Sequence, residues 1–277
     1  GQYERAIADY NEAIRLNPQS ATAYNSRAMA HVALGRLERA IQDFGEVIYL
    51  PILTEPDPHV GPRTEVGIPS RPRAAPIPEA SFMMGCNTDI DSNCGADESP
   101  YHEVTVSAFY MDRYEVTAEE YKACVDAGSC TYTGSTTSDN RTYDVVGKEK
   151  FPINFVTWQQ ASDYCAYQNK RLPKEAEWEK VVRTFDGRLY PWGSDTEPSC
   201  TYVVMDDGGS GCGTSNPTAI GSRHIDGGTI HGTYDMLGNV SEWMADWYAS
   251  DYYTSSPATD PTGPASGSAR VTRGGAY

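Results

Sequence analysis

Seven cysteines carry the most explicit chemistry in this chain. Six fall into three close pairs, Cys86 with Cys94, Cys124 with Cys130 and Cys200 with Cys212, each separated by polar, Gly-rich or helix-terminal residues. None forms a Cys-x-x-Cys pattern of the kind that binds zinc or shuttles electrons, so the pairs read as disulfides closing short loops. Each such bond is expected to stabilise a loop-rich domain by about 2 to 4 kcal/mol. Disulfides persist where the surroundings oxidise thiols, which places the protein outside the cytoplasm, in a periplasm or secreted. Cys165, in Asp163-Tyr164-Cys165-Ala166, is left over, and a single buried thiol ordinarily serves as a small hydrophobe.

Other reactive residue types promise less. Glu175, Glu177 and Glu179 alternate along a helical stretch, are read as not sharing one face, and so make a poor acid and base pair. Arg171 and Trp178 are assigned structural roles, tying a turn to a sheet. His31, His59, His102, His224 and His231 show no metal-ligand spacing, and no Ser-His-Asp order can be argued. Asn140-Arg141-Thr142 and Asn239-Val240-Ser241 match the glycosylation sequon, a pattern common by chance.

The elements that must position these residues fall into two parts. Gly1-Gln2-Tyr3-Glu4-Arg5-Ala6-Ile7 recurs 34 residues on as Gly35-Arg36-Leu37-Glu38-Arg39-Ala40-Ile41. Asp9, Tyr10, Ile14 and Leu16 find Asp43, Phe44, Ile48 and Leu50 at the same shift. That period and pattern resemble the tetratricopeptide repeat. Ala6, Ala28 and Ala40 let paired helices approach closely, Tyr10, Tyr24 and Phe44 fill the space between them, and Pro18 ends the first unit. About one and a half repeats are expected in residues 1–50, beginning in the second helix of a unit, which reads as a cut start.

Eight of the eighteen prolines fall between Pro51 and Pro78 without hydrophobic periodicity, so residues 51–76 read as an extended linker. The second domain is expected to run from Ile77 to Tyr277. It opens with strand-like alternation at Ser81-Phe82-Met83-Met84, and Val104, Val106, Ala108 and Tyr110 are expected on one face of a second strand. Thr117-Ala118-Glu119-Glu120 and Thr157-Trp158-Gln159-Gln160 are capping-box signatures of helix starts, and a third helix is expected from Lys174 to Arg183. Beyond residue 185, Gly, Asp, Ser and Pro predict mostly irregular structure.

Composition excludes several partner classes. A net charge of −16 disfavours nucleic acid and anionic membranes, and no window approaches the roughly 18 apolar residues of a membrane span. The 19 tyrosines, many near the end of the chain, suit a binding surface as well as they suit packing.

Three segments carry a family resemblance: Lys170-Arg171-Leu172-Pro173-Lys174-Glu175-Ala176-Glu177-Trp178-Glu179, Tyr234-Asp235-Met236-Leu237-Gly238-Asn239-Val240-Ser241-Glu242-Trp243, and Arg273-Gly274-Gly275-Ala276-Tyr277. Together they resemble the sulfatase-modifying-factor family, whose namesake is the formylglycine-generating enzyme. The resemblance implies an α+β fold of the C-type-lectin-like kind, with few regular elements and long supported loops. It implies a calcium ion held by side-chain oxygens of Asp235 and Glu242 and carbonyls of Gly238 and Val240, the hard-oxygen set such an ion prefers. The alternative is that Asp235 and Glu242 merely hydrogen-bond a tight turn around Gly238. A second calcium loop is implied after Pro191-Trp192-Gly193; the stretch from Cys200 to Cys212 departs from the family's pattern, and Asp206 and Asp207 are its plausible ligands without a fixed alignment.

The same resemblance bears on catalysis. Family enzymes use oxygen and a copper ion held by two thiolates to convert a substrate cysteine to formylglycine, soft ligands that suit Cu(I). Those cysteines follow the Arg-x-Gly-Gly-x-aromatic segment, so they are expected beyond Tyr277. The cysteine at the place of Cys165 pairs in the family with one near the domain's end, also expected beyond Tyr277, leaving Cys165 unpaired here. Ser241 stands where proven enzymes usually carry Trp. The resulting reading is a binding or accessory protein without catalysis, docking a protein or peptide partner through its repeats. The alternative is a copper-dependent oxidase acting on a Cys-containing peptide, and residues 1–277 alone are expected to lack that activity.

Overall fold

The computed structural model describes residues 2–16, 21–34, 36 and 39, and residues 73–275 apart from 195, 207–211, 213–215 and 224–227. Two compact units divide the chain, Gly1–Ile68 and Pro69–Tyr277.

In the first unit, α1 (Gln2–Leu16) and α2 (Ala21–Ala33) form an antiparallel helical hairpin. Ile14, Ala23, Ala28 and Ala30 are buried, and the small side chains let the two backbones approach. Arg27 Nη1 donates to Asn11 Oδ1 at 2.7 Å, and Arg36 reaches back to Glu4 at 3.6 Å, which fixes the antiparallel sense. Ala40, Phe44, Ile48 and Leu50 of the second repeat copy, Pro18, and the stretch from 51 to 72 lie outside the described residues.

Among the described residues of the second unit, the strands form three two-stranded antiparallel sheets. β1 (Ala74–Ile77) pairs with β4 (Phe109–Asp112), β2 (Ala80–Met84) with β3 (His102–Val106), and β5 (Glu242–Trp247) with β6 (Arg270–Arg273). β1 overlaps the end of the stretch read as linker, residues 74–76, and runs on into Ile77. Its Pro76 sits opposite Tyr110, on a strand with only one partner, where a missing N–H is tolerated.

The single face expected for Val104, Val106, Ala108 and Tyr110 breaks after Val106. Val104 and Val106 are buried, whereas Ala108 and Tyr110 are exposed. The chain changes sheets here, and the offset moves Phe109 inward in place of its neighbours. Asp260 pins the crossing, its carboxylate accepting from Ser107 N at 2.8 Å and Ser107 Oγ at 2.6 Å.

Both capping boxes form. At α3 (Ala118–Asp126), Thr117 Oγ1 accepts from Glu120 N and Glu120 Oε2 accepts from Thr117 N. At α4 (Trp158–Tyr167), Thr157 and Gln160 make the same exchange. The helix expected from Lys174 is α5 (Glu175–Arg183), with Lys174 as the residue before its first turn and Glu177 Oε2 accepting from Lys174 N at 2.8 Å.

α5 organises the core. Trp178, Val181 and Val182 pack with Ala75, Ile77, Met236, Met244 and Val271, while Ala176 joins Phe82, Met84, Val104, Val106 and Tyr253. Lys180, almost fully buried, donates to Pro78 O at 2.6 Å and Val106 O at 2.8 Å, so one ammonium ties the helix to β3 and to the turn between β1 and β2. A third cluster joins α3 to α4 through Tyr121, Tyr164 and the Cys124–Cys130 disulfide. All three expected disulfides are present, with Cα separations of 5.5, 5.3 and 5.3 Å, and Cys165 is free. Beyond Arg183 turns and bends dominate the described residues, with β5, β6 and a short turn at Tyr252–Ser255 as the regular pieces.

Candidate functional site

The loop leading into β5 is built by two left-handed residues and one indispensable glycine. Asp235 (φ 62°) and Asn239 (φ 67°) bend the backbone around Gly238, whose amide donates to Asp235 O at 3.3 Å. A Cβ on Gly238 would come within 2.2 Å of both Val203 Cγ2 and Val204 O, so no other residue fits without displacing that segment. Asn239 N donates to Val204 O at 2.8 Å and locks the loop onto it.

Across the β5–β6 ladder, Glu242 stands directly opposite Arg273. The chain then passes so close to the loop that a Cβ on Gly275 would lie 2.5 Å from Leu237 O. The Gly-Asn-Val-Ser-Glu and Arg-Gly-Gly segments, distant in sequence, are thus one packed unit.

Asp235 and Glu242, expected to hold a cation, both enter a largely buried setting. Asp235 Oδ2 accepts from Gly221 N at 2.5 Å, and Glu242 Oε2 accepts from the Trp178 indole N–H at 2.6 Å. Trp178 therefore orients a candidate ligand as well as filling the core. A third carboxylate, overlooked in the sequence, joins them. Glu115, nearly fully buried, accepts from Asn239 Nδ2 at 2.7 Å and from Val240 N at 3.1 Å. Burial is the main cause that pushes all three carboxyls upward, Glu242 to about 8, with the charge of Asp235 adding at Glu242 and Glu115. A cation between Asp235 and Glu242 would offset that cost at those two, which is the physical fit between this loop and calcium. Among the described residues no three His, Cys, Asp or Glu side chains converge as a ready metal cluster. An ion at the loop would therefore draw on two carboxylates and on carbonyls such as those of Gly238 and Val240.

The remaining candidates separate clearly. Asn239 is fully buried and hydrogen-bonded through its side chain to Glu115 and Thr218, which removes it as a glycosylation acceptor in the folded domain. Asp206 is exposed, and Asp207 lies outside the described residues. Trp192 stacks between Tyr190 and Tyr202, with ring centroids 5.5 and 5.0 Å away. Arg171 makes a two-pronged ion pair with Glu177, at 2.7 and 2.6 Å. The reading of Glu175, Glu177 and Glu179 needs correction: Glu175 and Glu179 are one helical turn apart, share a face, and both contact Arg273.

Beside the loop opens a cavity of about 440 Å³, whose walls include Glu115, Ser241, Glu242 and Trp243, with Cys165 contributed by α4. Ser241 is exposed and Cys165 half-buried. Burial, with a contribution from the Asp112 carboxylate, pushes the Cys165 thiol up to about 11 from its ordinary 9.0. Since the thiolate is the nucleophile, iodoacetamide at pH 8 should alkylate Cys165 about 100-fold more slowly in the folded domain than after denaturation. Equal rates, read by mass spectrometry, would place Cys165 outside this wall.

Residues 67–277 match the profile described as "Sulfatase-modifying factor enzyme 1-like domain". The chain belongs to this family. Residues 1–35 and 21–51 match two tetratricopeptide repeat profiles, which agrees with the helical hairpin at the amino terminus. A protein named formylglycine-generating enzyme from Thermomonospora curvata is 32% identical over 257 residues, covering 73% of this chain and 81% of the relative. A protein named serine/threonine-protein kinase Pkn1 from Chlamydia trachomatis is 34% identical over 219 residues, covering 73% of this chain and 33% of the relative. Among solved structures, PvdO from Pseudomonas aeruginosa superposes with a TM-score of 0.62 at 26% identity, covering 73% of this chain and 81% of PvdO. The family fold, mixed helix and strand behind an all-helical repeat segment, is the one expected from the sequence.

Proposed function

We propose that residues 1–277 form a non-catalytic binding or accessory unit, in which the sulfatase-modifying-factor domain is held by calcium at Asp235, Gly238, Val240 and Glu242. The tetratricopeptide helices dock a protein or peptide partner. The observation that carries the reading is Ser241, an exposed serine on the cavity wall where the family resemblance places a tryptophan. Six of the seven cysteines are bonded in pairs, so one thiol remains within residues 1–277, and it is half-buried and disinclined to ionise. A Cu(I) centre of the two-thiolate kind needs a second soft ligand. The exposed serine at position 241, beside the cavity, offers no aromatic wall. A domain of this family also forms about a third of a relative named as a protein kinase, so the fold is carried in proteins named for other work. Three disulfides suit an extracytoplasmic setting.

A second reading is favoured by the Thermomonospora relative's name: the whole protein is a copper-dependent formylglycine-generating oxidase acting on a Cys-containing peptide. Incubating residues 1–277 with copper, oxygen and a Cys-x-Pro-x-Arg peptide tests the first reading, and the same assay on the whole protein tests the second, where an aldehyde would favour the oxidase. With residues 1–277 the thiol should emerge unchanged by mass spectrometry. Formation of the aldehyde there would overturn the non-catalytic reading, and Cys165→Ser would then show whether the lone thiol is responsible.

A further inference from the structure

Glu115 is the carboxylate that the proposed cation site does not use, and its geometry shows what it holds instead. It lies just after β4, more than a hundred residues from the loop in sequence, yet both its oxygens are directed into that loop. Oε2 accepts from Asn239 Nδ2 at 2.7 Å and Oε1 from Val240 N at 3.1 Å. Asn239 is also gripped from the opposite side, its Oδ1 accepting from Thr218 N at 2.8 Å and its amide donating to Thr218 O at 3.2 Å. With its backbone N–H on Val204 O and φ at 67°, this residue has no freedom left. It separates Gly238 from Val240, the two residues whose carbonyls the ion would share. The Val240 amide belongs to the Asn239–Val240 peptide, the plane between the two that carry the Gly238 and Val240 carbonyls, so by holding that amide and the Asn239 side chain Glu115 fixes the middle plane from which both neighbours turn.

We infer that Glu115 is a positioning residue for calcium, acting through Asn239 and the Val240 amide to aim the carbonyls of Gly238 and Val240, without touching the ion itself. The inference rests on the calcium reading given above. Partners of this kind, bonded to ligands rather than to the metal, characteristically change affinity by 10- to 100-fold when lost.

The test is calcium titration calorimetry on wild type, Glu115→Gln and Glu115→Asp, each at a temperature where circular dichroism shows it folded, together with melting curves in chelator. Gln retains an oxygen for the Val240 amide but presents N–H groups to the Asn239 amide, and Asp falls short by one methylene. Both should bind calcium at least about 10-fold more weakly than wild type. Variants that melt lower in chelator but keep the wild-type calcium affinity would reduce Glu115 to a packing role and overturn the inference. A wild type that binds no calcium would instead remove the calcium reading, and the inference with it. Should neither variant fold, hydrogen exchange of wild type decides. Calcium should slow exchange of the Val240 amide along with those of Gly238 and Glu242, and an unchanged Val240 amide would count against Glu115.

Discussion

Chelating divalent cations should lower the melting temperature of the intact domain by roughly 5 to 10 °C at calcium concentrations about 100-fold above Kd. Binding to the native state alone contributes about 2.7 kcal/mol at that ratio, and a domain of this size shifts by about 2 to 4 °C per kcal/mol. The expectation follows from the loop's construction: Asp235 and Glu242 are held by single N–H donors in a setting whose burial disfavours their charge. Glu242→Ala should abolish the difference between calcium and chelator. That variant also strips the Trp178 indole of its acceptor, so its own melting point will drop. The informative quantity is the calcium-dependent shift, and a shift of wild-type size in Glu242→Ala would move the ion elsewhere.

Arg273→Met should be the most damaging single change in the β5–β6 region. The guanidinium pairs with Glu175, approaches Glu179 at 3.4 Å and donates to Tyr253 Oη at 2.9 Å, with all of these largely buried. Glu179 is further engaged by Gly85 N at 2.7 Å and by Arg183 at 2.8 Å, but Glu175 depends on Arg273 against a burial that raises its pKa. Removing one partner of a buried pair leaves an uncompensated charge, at a cost of about 3 to 5 kcal/mol. Urea denaturation followed by tryptophan fluorescence measures it. A loss under about 1 kcal/mol, typical of exposed pairs, would mean that Arg273 is screened by solvent and that the ion pair does not organise the β5–β6 region.

Local signals in the sequence survived intact because local physics determines them. The two Thr-x-x-Glu/Gln capping boxes, the helix start expected at Lys174 and the three short-range cysteine pairs each involve groups a few residues apart. The 34-residue period likewise predicted the hairpin of α1 and α2. What escaped required knowledge of distant partners. Glu115 has no spacing relation to Asn239, and only the fold brings them together. Arg273 gave no hint that it would reach across to α5, and the shared face of Glu175 and Glu179 was missed by reading alternation where a helix repeats every 3.6 residues. The break between β3 and β4 was invisible for a related reason: alternation continues through Ser107 and Ala108, but the chain leaves one sheet for another there.

Terbium luminescence reads directly whether a cation is held between Asp235 and Glu242. Tb³⁺ takes the same hard oxygen ligands as calcium and emits when a nearby indole transfers excitation to it. Trp178 is placed for that transfer by its 2.6 Å hydrogen bond to Glu242. Excitation of the indole should therefore give sensitised emission that saturates with added terbium, is displaced by calcium, weakens in Trp178→Phe and disappears in Glu242→Ala. Emission of wild-type strength in Glu242→Ala, or none in the folded wild type, would contradict the central claim.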